Sequence, residues 1–376
     1  MKVLFITNLP SPYRVRFFSE LGNLCDLTVV YERRSASDRD SKWTAQAENT
    51  FKEVYLDAHE IGTDNSWSLG IIKYLNKSYD HIVIGMYSTV TAMIAIIYMK
   101  IKKIPFILST DGGFVKEERK EKKMFKKFFI NAADKWLSTG TTASEYLCHY
   151  GANKERISVY PFTSLSDEDI LSKPISFEEK KNIKNKLGIN EDRMILSVGQ
   201  FIFRKGFDVL LKASQAFDNT IGVYIIGGGN NEEYINLCEK YNLSNVHFIE
   251  FMDKNELLEY YKAADLFVLP TREDIWGLVI NEAMACGIPV ITTNKCIAGQ
   301  ELIENGQNGY IVPVDNVDEL NRKILCVLND KVLQKNMSKK SLEMIRSYTF
   351  WNMAKIHMKI FEEESNHLFK ENNNYK

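Results

Sequence analysis

The stretch that decides the fold reads Leu269-Pro-Thr-Arg-Glu-Asp-Ile-Trp-Gly-Leu-Val-Ile-Asn-Glu-Ala-Met-Ala-Cys-Gly-Ile-Pro-Val-Ile-Thr292. An apolar run over 266–269 leads into it and predicts a buried parallel strand. After a loop, a helix is predicted over 279–286, ended by Gly287, and a second strand over 290–293. The loop therefore lies at the carboxyl end of a strand and the amino end of a helix. Open α/β sheets bind ligands at this edge, where free helix N–H groups attract phosphate.

Two acidic residues frame the turn, Asp274 in the loop and Glu282 on the predicted helix. An acidic loop before a helix often represents only N-capping and a solvated face, and this structural interpretation stays open for the stretch taken alone. Paired carboxylates are also typical of glycosidases. Eight positions along a helix would separate the two acids by about 12 Å, whereas retaining hydrolases need about 5–5.5 Å between their carboxyl groups. The spacing therefore argues against a hydrolase.

The spacing of the two acids and the segment Ala-Met-Ala-Cys-Gly-Ile-Pro-Val after Glu282 resemble the signature of the family-4 retaining glycosyltransferases. Members of that family have the GT-B fold, in which two Rossmann-like domains face each other across a cleft. The resemblance therefore implies an α/β chain of this fold and a sugar-transfer reaction. The first acid is Asp274 where the family usually has Glu, and Glu273 lies beside it. The sequence leaves open which of these two side chains contacts the donor sugar.

A second segment, Gly199-Gln-Phe-Ile-Phe-Arg-Lys-Gly206, lies between a strand predicted over 194–198 and a helix predicted over 207–216. A glycine, two adjacent cations and a helix start favour binding of a diphosphate. The segment resembles the family's Gly-Arg-x-x-x-x-Lys-Gly motif, with Lys205 on the phosphate-binding lysine and Gln200 in place of the arginine. Arg204 is the candidate substitute for that arginine. An exposed basic turn without a ligand is the structural alternative.

The resemblance also assigns roles to these residues. Glu282 is expected to hold the ribose hydroxyls, Asp274 the hydroxyls of the donor sugar, and Lys205 the diphosphate. Gly227-Gly-Gly229, which follows a predicted strand, is similar to the family's glycine loop near the nucleotide. The predicted donor contacts are Gly199, Gln200, Arg204, Lys205, Gly228, Glu273, Asp274, Trp276, Gly277, Leu278 and Glu282.

The amino-terminal half begins as a Rossmann-like domain does, with a strand over 2–7, a loop, a helix and another strand. It contains no Gly-x-Gly-x-x-Gly after that first strand, so no dinucleotide site is predicted there. Tyr13 and Arg14 are candidate acceptor contacts, and a plain helix start is equally compatible with them. A strand over 104–109 ends in Thr110-Asp-Gly-Gly113, where the family often has a histidine that meets the donor sugar. Asp111 is therefore a candidate catalytic residue, with an ordinary Asp- and Gly-rich turn as the alternative.

Residues 116–129 contain seven basic, three acidic and four large apolar residues. A basic amphipathic helix of this kind can lie on an anionic membrane surface. The alternative is a surface helix whose phenylalanines pack on their own domain. Residues 82–99 contain no charged residue and approach the length of a membrane span. Ser88, Thr89 and Thr91 interrupt them, so a strand, a turn and a buried helix are predicted instead.

Composition excludes several classes of protein. The 376 residues suit two domains, and 45% hydrophobic residues allow substantial cores. A net charge of −1 argues against a general nucleic-acid-binding protein. Six scattered cysteines without a C-x-x-C pair favour reduced thiols in a cytoplasmic protein, and the amino-terminal apolar run is too short for a signal peptide. We expect a cytoplasmic protein, located at the inner face of the cell membrane if residues 116–129 bind lipid.

Two short acidic segments, Asp38-Arg-Asp40 and Asp167-Glu-Asp169, match the Asp-x-Asp metal motif of the other large glycosyltransferase fold. Both lie in loop-like contexts without the strand of that fold. No metal site and no cofactor are therefore predicted, and the nucleotide sugar is expected only as a substrate.

The resemblance covers residues 194–351 closely and residues 1–160 only by architecture. The predicted domains are an acceptor-side domain over 1–165 and a nucleotide-sugar-binding domain over 190–349, with a last helix over about 350–376 packed back on the first domain. The implied activity is metal-independent, retaining transfer of a sugar from a UDP- or GDP-linked donor to a glycan or lipid-linked glycan, in bacterial cell-surface polysaccharide synthesis. A sugar-nucleotide epimerase of the same fold and a non-catalytic partner subunit are the alternatives.

Overall fold

The chain divides into two compact units. The computed structural model describes residues 1–34, 50–61 and 65–373. The first unit comprises Met1–Thr163 and the segment from Thr349 onward, and the second comprises Ser164–Tyr348. Each unit contains a parallel sheet with a hydrophobic core of its own.

The first unit is built on a parallel sheet of seven strands. Together with a separate two-stranded hairpin, the described part of this unit contains, in chain order, β1 (Lys2–Thr7), β2 (Asp26–Tyr31), β3 (Lys52–Tyr55), β4 (His59–Ile61), β5 (Asn65–Trp67), β6 (His81–Ile84), β7 (Ile107–Ser109), β8 (Lys135–Ser138) and β9 (Ile157–Val159). The order across the sheet is β3-β2-β1-β6-β7-β8-β9, while β4 and β5 form a separate antiparallel hairpin. The central strands are rich in Val, Ile and Leu and buried along their length, as expected for a sheet covered on both faces.

Helices α1 (Pro12–Gly22), α2 (Val90–Lys102), α3 (Lys120–Ile130) and α4 (Thr141–His149) connect these strands. Pro12 begins α1 at the one place where its missing N–H costs nothing. The Thr89 hydroxyl caps α2 by accepting a hydrogen bond from the N–H of Ala92 at 3.2 Å. The predicted strand, turn and buried helix over 82–99 are therefore confirmed. Over 1–34, 50–61 and 65–373, no helix combines the length and the apolar character that crossing a membrane requires.

The second unit contains a six-stranded parallel sheet. Its strands are β10 (Arg193–Val198), β11 (Ile221–Ile226), β12 (Val246–Ile249), β13 (Leu266–Leu269), β14 (Val290–Thr293) and β15 (Gly309–Val312). The order β12-β11-β10-β13-β14-β15 is that of a Rossmann sheet. The predicted α/β class, with a Rossmann-like sheet in each half of the chain, is therefore confirmed.

The helices of the second unit are α5 (Phe177–Lys186), α6 (Phe207–Ser214), α7 (Glu232–Tyr241), α8 (Lys254–Ala263), α9 (Leu278–Ala285), α10 (Ile297–Leu302), α11 (Val317–Asn329) and α12 (Lys331–Ile345). The last helix, α13 (Phe350–Asn373), belongs to the first unit, where it packs on α1. The rings of Phe17 and His357 meet there with centroids 4.8 Å apart.

Three elements differ from the sequence expectation. The strand predicted over 104–109 begins only at Ile107, since Pro105 has no N–H to donate to a neighbouring strand. The helix predicted over 116–129 occupies Lys120–Ile130. Residues 166–189, which lie outside both predicted domains, contain α5 and belong to the second unit, which begins at residue 164.

The packing of helix α5 on the second unit was not predicted, because its buried face consists of lysines. The Lys184 ammonium lies 2.5 Å from Asp265 Oδ2, and that of Lys180 lies 3.7 Å from Asp265 Oδ1. All three side chains are buried. Ser176 and Glu179 form a capping box at the start of the helix. A hydrophobic pattern therefore could not reveal a helix that is attached through a buried ionic cluster.

Candidate functional site

Two loops of the second unit meet at one edge of its sheet. One loop, 199–206, follows β10 and the other, 270–277, follows β13, and these two strands are paired. Strand β11 lies on the other side of β10, so the strand order reverses at this point. Ligands of open α/β sheets bind at such switch points, outside the carboxyl ends of the strands. The fold thus brings the two predicted motif loops together.

Two cations converge on one carboxylate where these loops meet. The Lys205 ammonium lies 2.6 Å from Asp274 Oδ2. Arg204 Nη1 lies 3.6 Å from Asp274 Oδ1 and donates a hydrogen bond to the carbonyl oxygen of Glu273 at 2.8 Å. Lys205 and Asp274 are largely covered, whereas the side chain of Arg204 is 45% exposed. Two cations thus converge on a single carboxylate, an arrangement that suits an anionic ligand.

Backbone hydrogen bonds determine the direction of Asp274. Its N–H donates to the carbonyl oxygen of Lys295 at 2.8 Å, and its own carbonyl oxygen accepts from the N–H of Ile297 at 3.2 Å. Glu273 contributes its carbonyl oxygen to Arg204. Of the two neighbouring acids, Asp274 is therefore the one whose carboxylate meets the predicted cations.

The amino end of α9 adjoins this cluster. Gly277 precedes the helix with φ +98°, and a Cβ on it would lie 2.8 Å from Cys296 Sγ and 3.8 Å from Asp274 Cγ. Within the described part of the chain, no acceptor faces the N–H groups of Gly277 and Leu278. The side chain of Trp276 is buried, and its Nε1 donates to the side chain of Asn281. The turn therefore offers backbone N–H groups to a ligand, while the indole ring packs inside.

Glu282 lies on α9, with both carboxylate oxygens hydrogen-bonded. The Ser164 hydroxyl donates to Oε1 at 3.2 Å, and the Tyr261 hydroxyl donates to Oε2 at 3.0 Å. Burial raises the pKa of Glu282 above its usual range, against the effect of these hydrogen bonds. A half-buried carboxylate surrounded by hydroxyl donors is suited to accept further hydroxyl groups, such as those of a sugar.

The glycine loops after β10 and β11 pack directly on each other. The N–H of Phe201 donates to the carbonyl oxygen of Gly228 at 2.8 Å. A Cβ on Gly227 would lie 1.8 Å from the carbonyl oxygen of Gly199, so the approach requires glycine. Gln200 is exposed on the outer side of this contact. The backbones of the two loops are therefore in direct contact at the ends of β10 and β11.

Two candidate residues of the first unit, Arg14 and Asp111, form an ion pair. Arg14 Nη2 lies 2.6 Å from Asp111 Oδ2, since α1 follows β1 and Asp111 follows β7 at the same edge of the sheet. Burial alone would lower the pKa of Arg14, but the adjacent carboxylate raises it above its usual value. Thr139 donates to the carbonyl oxygen of Asp111 at 3.1 Å. Tyr13 is partly buried, with its ring edge-on to Phe162.

Two hydroxyl groups of the site were not predicted from the sequence. Tyr261 occupies the buried side of α8, and Ser164 lies at the start of the second unit. Both reach Glu282 only through the packing of α8 and the 164–171 segment on α9. No local sequence signal distinguishes such residues from ordinary core or loop positions.

Two segments of the chain match the Asp-x-Asp pattern. Asp38-Arg-Asp40 lies outside the described residues. In the second segment, Asp169 accepts from Lys254 at 2.7 Å and from the N–H of Ser166 at 2.7 Å. Over the described ranges, no group of three His, Cys, Asp or Glu residues is arranged to hold a metal ion.

Residues 179–344 match the family model of glycosyl transferases group 1. An uncharacterized glycosyltransferase of Haemophilus influenzae is 33% identical over 170 residues, covering 44% of this chain and 48% of that protein. The lipopolysaccharide glucosyltransferase WaaG of Escherichia coli is 28% identical over 170 residues, covering 43% of each chain. The chain therefore spans about half the length of these curated relatives.

Similarity to solved structures extends along nearly the whole chain. The crystal structure of WaaG superposes with a TM-score of 0.68 at 17% identity, covering 96% of this chain and 99% of that one. HepE of Anabaena, in complex with UDP and glucose, superposes with a TM-score of 0.73 at 17% identity, covering 97% and 99%. At such identities the likeness shows the fold, and the predicted GT-B class is confirmed. Residues 179–344, somewhat less than half of the chain, are thus similar to the glycosyl transferases group 1 family.

Proposed function

We propose that this protein is a retaining glycosyltransferase that moves a sugar from a UDP- or GDP-linked donor to a glycan or a lipid-linked glycan. The observation that carries the proposal is the meeting of Lys205 and Arg204 with Asp274 at the amino end of α9. HepE, which has the same fold, binds UDP and glucose, and this supports a nucleotide-sugar donor here. The proposal includes no cofactor besides the donor itself.

In this proposal the diphosphate binds to Lys205, Arg204 and the N–H groups of Gly277 and Leu278. Breaking the bond between the sugar and the diphosphate leaves negative charge on the phosphate oxygens and positive charge on the sugar ring. Fixed cations and helix N–H groups stabilise the first charge without reorganisation, which makes a metal ion unnecessary for this task. The carboxylate of Asp274 binds sugar hydroxyls and that of Glu282 binds the ribose hydroxyls.

The reaction exchanges two bonds at the anomeric carbon. The bond from this carbon to the phosphate oxygen breaks, and a bond to the acceptor oxygen forms on the same face of the sugar, so the configuration is retained. The leaving phosphate oxygen takes the proton of the acceptor hydroxyl, so a separate basic side chain is not needed. Asp111, held by Arg14, is assigned to the hydroxyls of the reacting sugar, and Tyr13 and Arg14 to the acceptor.

Nucleotide binding provides the first test. Thermal unfolding is measured with UDP, GDP, ADP and CMP, each with magnesium and with a chelator. At one hundred times its Kd, a ligand adds about 2.7 kcal/mol of stability. We expect UDP or GDP to stabilise the protein equally with and without metal. Lys205→Ala and Glu282→Ala should reduce the shift, whereas the exposed control Lys335→Ala should not. Absence of a shift with every nucleotide would favour the non-catalytic alternative.

Product analysis separates transfer from epimerisation. An epimerase converts the sugar nucleotide when no acceptor is present and leaves the diphosphate bond intact. A glycosyltransferase without acceptor releases the sugar slowly by hydrolysis, and a retaining enzyme releases it first with the anomeric configuration of the donor. Nuclear magnetic resonance of the first-formed product distinguishes an epimerised sugar nucleotide, a released sugar of retained configuration and a released sugar of inverted configuration. An inverted first product would refute the retaining mechanism.

The proposed location is the cytoplasm, at the inner face of the cell membrane, and helix α3 carries this part of the proposal. Its Phe129 packs inside, whereas Met124, Phe125 and Phe128 are 71%, 44% and 60% exposed. Two of its three phenylalanines, Phe125 and Phe128, therefore keep about half of their surface exposed. Met124 and Phe128 are one turn apart, and the exposed lysines Lys120 and Lys127 lie within one turn of Met124 on the same side.

This arrangement fits an anionic lipid surface. Apolar side chains enter the interface between headgroups and acyl chains, while flanking lysines meet phosphate groups. Lys126 on the opposite side is engaged by Glu118 at 2.9 Å, which fastens the helix to the 111–119 loop. A lipid-linked acceptor would be presented at such a surface. This agrees with a role in cell-surface polysaccharide synthesis, and the similar protein WaaG is a lipopolysaccharide glucosyltransferase.

Vesicle sedimentation tests the membrane proposal. We expect binding to vesicles that contain phosphatidylglycerol and little binding to phosphatidylcholine alone. Replacing Lys120 and Lys127 by Ala should weaken binding about thirtyfold, at about 1 kcal/mol for each cation. Phe125→Ser with Phe128→Ser should also release the protein, whereas Val332→Ser, an exposed apolar control in the second unit, should not. Equal binding to both vesicle types would contradict the proposal.

A further inference from the structure

Arg272 lies in the loop after β13, two residues before Asp274, and it is directed to a different element. Its guanidinium makes a bidentate pair with Asp208 at the amino end of α6, with both distances 2.9 Å. Its Nε lies 2.8 Å from Asp315 Oδ1. Burial alone would raise the pKa of Asp208, but hydrogen bonds from Arg272 and Lys212 lower it below its usual range. The charge of Arg272 is therefore already matched by carboxylates.

The same arginine holds the turn that carries the phosphate-binding cations. The single 3₁₀ turn Phe203–Lys205 presents two carbonyl oxygens to the loop after β13. Arg272 Nη1 donates to the carbonyl oxygen of Phe203 at 2.7 Å, and the backbone N–H of Arg272 donates to that of Arg204 at 2.8 Å. Its guanidinium also stacks on the exposed ring of Phe203, 3.9 Å from the centroid.

A close backbone contact fixes the other end of this turn. Gly206 has φ +69°, and a Cβ on it would lie 2.1 Å from the carbonyl oxygen of Pro270. The turn is thus held against the loop after β13 at both ends, by Arg272 and by Gly206. Lys205 lies between these two contacts, so its direction toward Asp274 depends on both.

We infer that Arg272 is a positioning residue for diphosphate binding, which holds the Phe203–Lys205 turn so that Arg204 and Lys205 point toward the ligand. The inference rests on the proposed function of the same site. Arg272 acts through backbone carbonyl groups and not through attraction of the phosphates, because Asp208 and Asp315 already neutralise its charge. A lysine cannot replace it, since an ammonium group cannot make the bidentate pair and the stacking contact together.

Hydrogen exchange of the nucleotide-free protein tests the inference without reference to activity. The N–H of Lys205 donates to Ile202 and that of Gly206 donates to Phe203 within the turn. We expect Arg272→Ala and Arg272→Lys to accelerate exchange at these two N–H groups and to leave β11 unchanged. Asp208→Asn, which keeps the shape of its partner, should give the same local effect if the alanine variant folds poorly. Unchanged exchange in the turn would overturn the inference.

Titration with UDP and GDP completes the test. For whichever nucleotide the wild type binds, we expect both Arg272 variants to raise Kd about tenfold or more, because a charge-assisted contact to phosphate is misplaced. Methylguanidinium should partly restore binding by Arg272→Ala. If Arg272→Lys binds as the wild type does, Arg272 acts as a simple charge and the inference is wrong. If the wild type binds neither nucleotide, the proposed function fails and the role in diphosphate binding fails with it, while exchange still decides whether Arg272 holds the turn.

Discussion

The ammonium group of Lys205 lies 2.6 Å from the carboxylate of Asp274, although 69 positions separate the two residues in the chain. Paired strands β10 and β13 end side by side and bring them together. A bound diphosphate sugar would share Lys205 with Asp274 and would offer hydroxyl groups to that carboxylate. The ion pair therefore orients both residues at the position proposed for the bond that breaks.

Removing the Lys205 ammonium tests this arrangement. We expect Lys205→Ala to reduce turnover at least about a hundredfold, because a fixed charge at the leaving phosphate is lost. The variant also leaves Asp274 without its nearest cation. Rates of donor hydrolysis and of transfer provide the measurement, with Lys335→Ala as the matched control. Near-normal turnover would show that the diphosphate binds elsewhere.

Turnover should respond differently to removal of the charge of Asp274 and of the neighbouring Glu273. We expect Asp274→Asn to reduce turnover about a hundredfold, because its carboxylate faces the cations and the proposed sugar. Glu273→Gln should change turnover less than about fivefold, since Glu273 meets Arg204 through its backbone carbonyl, which the substitution retains. Both variants keep the size of the side chain. A larger effect of Glu273→Gln would reverse the assignment.

Glu282 should make stability depend on pH. Burial raises its pKa above the ordinary value of 4.5, so the folded protein holds this proton more tightly than the unfolded chain does. Its contribution to stability is complete below pH 4.5 and is lost as the pH rises through the raised pKa. We expect Glu282→Gln, which cannot ionise, to gain stability relative to the wild type across this window.

Urea unfolding below and above that window measures the effect. The difference in free energy of unfolding between Glu282→Gln and the wild type should shift in favour of the variant at the higher pH. A difference that is the same at both pH values would mean that Glu282 does not titrate with a raised pKa.

Removing the carboxylate from the ionic cluster beneath α5 should destabilise the second unit. Asp265→Asn leaves Lys180 and Lys184 buried without a carboxylate, and breaking such a pair typically costs about 3–5 kcal/mol. The amide oxygen can still accept from the N–H of Met194, so the loss concerns charge. Urea unfolding, compared with the exposed control Glu168→Gln, measures it. A cost as small as that of the control would show that the lysines find other partners.

The part of the candidate site that the sequence indicated depends on local signals. Gly199, Lys205, Asp274 and Gly277 occur at fixed spacing around strand ends, and parallel strands necessarily bring such ends to one edge of the sheet. The pairing of Arg14 with Asp111 was not foreseen, although both residues were candidates. It depends on the register of the first sheet across 97 positions of the chain, and no local pattern encodes that register.

Other residues were not predicted because residues of their type usually occupy a different environment in a folded protein. Lysines on a helix usually mark a solvated face, yet Lys180 and Lys184 form the buried side of α5. Arg272 lies within the stretch 269–292, where the sequence does not distinguish it from other polar loop residues. Its partners, Asp208 and Asp315, lie in distant segments that only the folded chain brings together.

The packing of α13 on α1 bears on the order in which the chain folds during synthesis. The second unit is continuous, whereas the first is assembled from the two ends of the chain. The rings of Phe17 and Tyr160 contact His357 of α13, and the ring of His81 stacks on Phe361 of the same helix. When the ribosome has made the first 163 residues, this side of the first unit is still uncovered. Residues 1–163 are therefore made before the second unit, but the first unit is complete only after α13 has followed it.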